Sequence, residues 1–146
     1  MNTSLKIGYN VTFQNIDVIS KEVVKEAKFH NDVVNSGLES VATHLASTFT
    51  HVGIGTGTTA VVATDTALET EYTRSAVTAT SGGTGIRTWD HTFSVASGVS
   101  ETITEAGLFS ASSGGTMFNR AVDSPGFTLD SSNDLRVLIT VTVSDA

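Results

Sequence analysis

At 146 residues the chain has the length of one domain, enough to lose roughly 70% of its chain surface on folding. Hydrophobic residues make up 39% and charged residues 16%, which excludes a disordered or membrane-spanning chain and leaves a folded one rich in Thr and Ser. The net charge of −7 argues against nucleic acid as the partner, and the lack of cysteine excludes a disulfide framework or thiolate chemistry.

The charge is unevenly spread. All four lysines (Lys6, Lys21, Lys25 and Lys28) lie in residues 1–30 against three acids, net +1, whereas residues 31–146 set four arginines against twelve acids, net −8. The lysines suit a solvated strand edge, or a mildly basic arm that touches an acidic neighbour. Residues 1–20 lack a basic stretch followed by an apolar run, and no 18 consecutive apolar residues occur, so neither a signal peptide nor a membrane helix is expected.

Residues 5–13 alternate, with Leu5, Ile7, Tyr9, Val11 and Phe13 on one face, which predicts a half-buried strand. A turn near Gln14–Asn15 leads to a second extended segment through Ile16, Val18 and Ile19. The run KEVVKEAKF (21–29) suits a helix by composition and a strand by the placing of Val23, Ala27 and Phe29; strand is preferred. From Asp32 the period changes. Val34, Leu38, Val41, Ala42 and Leu45 form one apolar stripe, predicting a helix over about 33–46 with Asp32, Asn35 or Ser36 as its N-cap.

HVGIG (51–55) then reads as a short strand, and the Gly/Thr stretch after it as a long connection. Further strands are expected at 70–80, 86–96, 100–111, 115–123 and 134–143, separated by Gly-bearing loops, with Pro125 in the loop 124–133. The last is the clearest, with Leu135, Val137, Ile139, Val141 and Val143 on one face. The expected fold is mainly β: an antiparallel β-sandwich or jelly-roll-like barrel (31–146) with one packed helix, preceded by an N-terminal β-arm (1–30).

GIGTGTT (53–59) has neither the Lys-Ser/Thr of a phosphate loop nor the G-x-G-x-x-G of a dinucleotide site; its glycines suit tight backbone turns. His30 with Asp32, Asp65 with Glu69 and Glu71, and Asp90 with His91 lack zinc or calcium-loop spacing, although Asp65–Glu71 offers oxygen ligands to a hard cation. His91 falls in phase with Trp89, Phe93 and Val95, as a core or interface histidine or a pH-sensitive contact. Glu101 and Glu105, four apart and about 13 Å along a strand, suggest a solvated face. With no nucleophile motif, the chain is not expected to be an enzyme or to carry a cofactor or metal.

Three segments, HNDVVNSGLESVATHLA, HVGIGTGTTAVVATDTALETEYTR and TITEAGLFSASSGGTMFNRAV, resemble a group of small virion structural proteins of tailed bacteriophages. Similar segments occur in capsid decoration (cement) proteins and in tail-fibre or baseplate-associated proteins. The resemblance covers about residues 29–143. It implies a decoration protein on the outer capsid surface, partnered by the major capsid protein and by copies of itself as a homotrimer, with no nucleic acid or membrane. Lys6, Lys21, Lys25, Lys28, Trp89 and His91 are the candidate interface residues. A tail, neck, baseplate or fibre component is the alternative. A carbohydrate- or metal-binding module using Trp89, Tyr72 and the Asp65–Glu71 loop is a more distant one.

Overall fold

The computed structural model describes residues 4–146, without the side chains of Tyr9 and Asn31; residues 1–3, counted with the arm, lie outside the described residues. The fold is mainly β, with one helix. Its elements are β1 (Ser4–Ile7), β2 (Tyr9–Ile16), β3 (Val23–Asn31), α1 (Asn35–Thr48), β4 (His51–Gly55), β5 (Glu71–Ala76), β6 (Thr80–Gly83), β7 (Ile86–Phe93), β8 (Ser100–Phe109), β9 (Met117–Asp130) and β10 (Leu135–Asp145). Two four-stranded sheets, ordered β1-β10-β7-β6 and β5-β4-β8-β9, form a sandwich, and β2 and β3 form a separate two-stranded hairpin. All pairings are antiparallel except β1 with β10.

The core lies between the two sheets. Val52 and Ile54 of β4, Leu108 of β8 and Leu129 of β9 meet Trp89 and Phe93 of β7 and Val141 of β10. These are alternate strand positions, and each fully buried side chain contributes about 1.5–3 kcal/mol. Trp89 Nε1 donates to the carbonyl of Phe49 at 2.6 Å, so the one polar atom of this ring is satisfied inside the core. The stripe of α1 packs on β10 and β7, with Ala42 buried and Leu45 against the core cluster. Arg87, buried on β7, reaches Glu39 of α1 as an ion pair and donates to Thr43 Oγ1 at 3.0 Å, which fixes the helix on the sheet.

Several boundaries differ from expectation for local reasons. The strand expected at 5–13 breaks at Gly8: β1 joins the body by pairing Ser4–Ile7 with Thr142–Asp145, and only β2 continues into the arm. The turn expected at Gln14–Asn15 comes after Asp17, whose Oδ1 accepts from Ile19 and Ser20 N–H at 2.9 and 2.7 Å, with Lys21 in the left-handed region (φ 62°). Residues 23–31 are a strand, the preferred option for that run. The helix starts at Asn35, and none of Asp32, Asn35 or Ser36 caps it. Val34 is the N-cap with no side-chain bond, and Val33 N–H is instead tied to Asp145 Oδ1 at 3.2 Å.

The strand expected at 70–80 is two strands in different sheets, because the chain crosses the sandwich at Val77–Ala79. Pro125 is not in a loop. It lies within β9, where Asp123–Gly126 bulge out opposite Thr104 and the ladder resumes at Phe127, so the proline's missing N–H interrupts no bond.

Candidate functional site

On the side of β4 and β8 facing away from the core, glycines replace side chains: Gly53 and Gly55 pair with Gly107 and Glu105. The connection 56–70 folds onto this bare floor. Leu68 is buried there against Phe109, and the guanidinium of Arg74 lies 3.6 Å from the Phe109 ring centroid. The result is a second, smaller apolar layer outside the main core.

At its centre is Glu105, whose side chain has no exposed surface. Oε1 accepts from Gly57 and Thr70 N–H at 3.0 and 2.8 Å, and Oε2 from Glu69 N–H at 3.0 Å and Arg120 Nε at 2.8 Å. Arg120, from β9, also pairs with Asp65 at 2.9 Å and with Glu69 at 3.6 Å. Glu69 Oε2 in turn accepts from Thr58 and Thr59 N–H at 2.8 and 2.9 Å. The Gly/Thr loop therefore binds anions after all, and they are the chain's own carboxylates. Its N–H groups converge on Glu105 and Glu69 as a phosphate loop's would on phosphate. A Cβ at Gly57 would stand 2.6 Å from Glu105 Oε1, so only glycine admits this approach.

Burial pushes the Glu105 carboxyl up, but the N–H of Thr70, Arg120, and the N–H groups of Glu69 and Gly57 outweigh it and hold the group below its ordinary value. The Thr59 N–H lowers Glu69, the Val62 N–H and Arg120 lower Asp65, and Glu105 raises Arg120. This corrects the solvated-face expectation for Glu105. Asp65, Glu69 and Glu71, considered as hard-cation ligands, are taken by Arg120, by the loop backbone and by Arg74, which donates to Glu71 at 2.6 Å. Among the described residues no three His, Cys, Asp or Glu side chains are grouped to hold a metal ion. Chemically, the arrangement locks a loop.

The candidate interface residues are dispersed. Trp89 is fully buried, so it offers no contact surface and no stacking platform for a sugar; this corrects its assignment. Its phase placed it on the inner face, and nothing covers less than all of it. His91 is half-buried on the same strand, its ring 4.6 Å from Phe93 edge-on. Tyr72 is exposed on β5. Lys6 is exposed on β1, in the body, whereas Lys21, Lys25 and Lys28 are exposed on the hairpin. Lys28 pairs with Glu26 at 3.1 Å and Lys21 Nζ donates to the Val18 carbonyl at 2.8 Å, while Lys25 has no ion pair among the described residues.

No family model, curated protein or solved structure matches the chain. Function therefore has to be read from the residues and their geometry. Sequence reasoning missed Glu105 and Arg120, although a signal was present: each is a lone charge in an otherwise small or apolar run, ITEAGLF and NRAV. It also missed the apolar exposure of the hairpin. Cross-strand pairs put Val11, Phe13, Ala27 and Phe29 on one face and Thr12, Gln14, Glu26 and Lys28 on the other. Phe13 and Phe29, in edge-on contact at 5.8 Å, remain 65% and 53% exposed. A lone chain leaves this face in water. No helix is long and apolar enough to cross a membrane, among the described residues.

Proposed function

We propose that this chain is a structural protein of a phage virion, without catalysis, that binds the outside of the assembled capsid and stabilises it. The exposed apolar hairpin carries the reading. A two-stranded element with an uncovered aromatic face is marginal alone and suits a subunit completed by assembly. Two features support it. The motifs that resemble virion proteins spend their polar residues on one internal lock, in which Gly57, Asp65, Glu69, Glu105 and Arg120 serve the loop rather than a substrate. Lys25, on the hairpin's apolar face, and the net −8 of residues 31–146 suit contacts with copies of the chain and with the major capsid protein. A subunit that binds shell and not free monomers adds free energy only to the assembled state, and a closed trimer multiplies weak contacts.

The test is the copy number of the chain in purified virions, by quantitative mass spectrometry against the major capsid protein. A number comparable to the capsid protein's is expected. A number smaller by orders of magnitude would remove the decoration reading and favour a tail, neck, baseplate or fibre component.

A further inference from the structure

The sandwich is open along one side. Between β9 and β10 runs an apolar groove with two adjoining hollows of about 350 and 580 Å³, which share Ala121 and Leu138 in their walls. Phe127 and Leu138 on its rim are 57% and 56% exposed. Both bordering strands have bare edges. β9 ends its sheet, and β10 is bordered on this side, among the described residues, only by β1, whose pairing reaches Thr142. The occupant such a groove fits is a β element with an apolar face, since bare edges leave N–H and C=O groups that a strand can pair.

We propose that the apolar face of the β2–β3 hairpin of one copy closes the β9–β10 groove of the next copy. The lengths agree: β2 spans about 24 Å and the open part of β10, Leu135–Val141, about 20 Å at the usual strand rise. The charges agree as well. Lys25 stands beside Phe13 and Phe29 on the apolar face, Asp123 lines the groove, and neither has an ion pair among the described residues. The hairpin as a whole is neutral, its three lysines balanced by Asp17, Glu22 and Glu26, so the match rests on Lys25, the charge on its apolar face; Arg136, also in the groove wall, is already paired with Asp90.

The hairpin is not seated in its own groove. It leaves the body at the far end of β10, where Ala146 N–H donates to the Ile7 carbonyl at 3.1 Å and Val33 is tied to Asp145. β2 and β3 pack principally on each other, and the exposure of Phe13 and Phe29 shows the face uncovered. Contact from a second copy buries both patches at once. Because hairpin and groove are different surfaces, the contact is heterologous, and identical copies satisfy all of them only by closing a ring. One face of so short a hairpin falls below the roughly 800 Å² per partner of a stable pair, so closure, in which every copy makes two contacts, is what makes it hold.

Only the oligomeric part of the proposed function is needed for this contact. Sedimentation of the full chain at tens of micromolar should show a closed oligomer, and Phe13→Asp or Leu138→Asp should each give monomer with unchanged circular dichroism. Lys25→Glu should weaken association about tenfold, and adding Asp123→Lys should restore it. The chain has no cysteine, so linking is unambiguous. Mixed Ala27→Cys and Ala121→Cys copies should form disulfide heterodimers on mild oxidation, and the double variant should form a ladder that stops at the ring size. A monomeric parent chain, an oligomeric Phe13→Asp variant, or Ala27→Cys copies linking only to each other would each overturn the proposal. An oligomer of this kind that binds no capsid would leave the contact standing and remove the virion reading. A monomer that decorates capsids would do the reverse.

Discussion

Glu105 takes its four hydrogen bonds from three points of the 56–70 loop and from β9, so one side chain ties a long connection to two strands. Removing its charge leaves the Arg120 side chain, only 2% exposed, with Asp65 and Glu69 alone. Breaking one partner out of a buried pair is costly, and Glu105→Gln should destabilise the chain by about 3 kcal/mol in denaturant unfolding. A double Glu105→Met, Arg120→Leu variant removes the buried guanidinium but also takes the cation from Asp65 and Glu69 and the acceptor from the N–H groups of Gly57, Glu69 and Thr70, so it should stay destabilised relative to the parent chain. Gly57→Ala, which drives a methyl group toward Glu105 and Glu69, should cost about 1–3 kcal/mol. The acid limb of stability has the same origin. Glu105 and Glu69 have folded values below their ordinary 4.5, and Asp65 below its ordinary 3.8, so the folded state binds fewer protons than the unfolded one. Their contribution is fully present above about pH 4.5 and is lost as pH falls through the lower, folded values. In a pH series of unfolding curves, Glu105→Gln should flatten that limb; an unchanged slope would show that the lock does not govern it.

The sandwich is built from strands whose alternation is visible in the sequence. β4 and β10 fall where the pattern places them, because each has one face in the core: Val52 and Ile54, or Leu135 to Val143. The helix stripe is legible in Leu38, Val41, Ala42 and Leu45, which are buried or half-buried on a helix that packs on β7 and β10, whereas Val34, expected in the same stripe, is the exposed N-cap. What periodicity cannot show is which sheet a strand joins. Residues 5–13 alternate without a break, yet Ile7 pairs with Asp145 and Asn10 with His30, because the chain leaves one sheet for another at Gly8. Likewise the function of the glycine loop depends on Glu105, some fifty residues away. The hairpin's independence also sets the cut that separates folding from assembly, which is not the end of the 1–30 arm. Removing residues 1–28 would take β1 from the body's sheet, whereas Tyr9 and Asn31 are paired neighbours that a two-residue turn can bridge. Replacing 10–30 by Gly-Gly should therefore leave the thermal midpoint within a few degrees and abolish association, as read by circular dichroism and sedimentation together. A collapsed midpoint would mean the hairpin is part of the fold.

For the whole molecule, an uncovered hairpin and an open groove on one chain mean that isolated folding and assembled stability are different quantities. A partner that binds the folded state and not the unfolded one raises apparent stability by mass action, so the midpoint must depend on concentration if copies complete one another. For a closed trimer each tenfold rise in protein contributes roughly 1 kcal/mol per subunit, which at this size corresponds to about 2–4 °C. The Phe13→Asp chain, with its face spoiled, should melt at one temperature at every concentration. The single Trp89 makes the measurement direct: it is fully buried in the core and far from the hairpin in the chain, so its fluorescence follows unfolding of the body rather than loss of the contact. A parent midpoint that does not move over a hundredfold dilution would mean that the apolar face meets something other than another copy. On the proposed virion reading the capsid is that cover, and the midpoint should then rise when undecorated capsids are added.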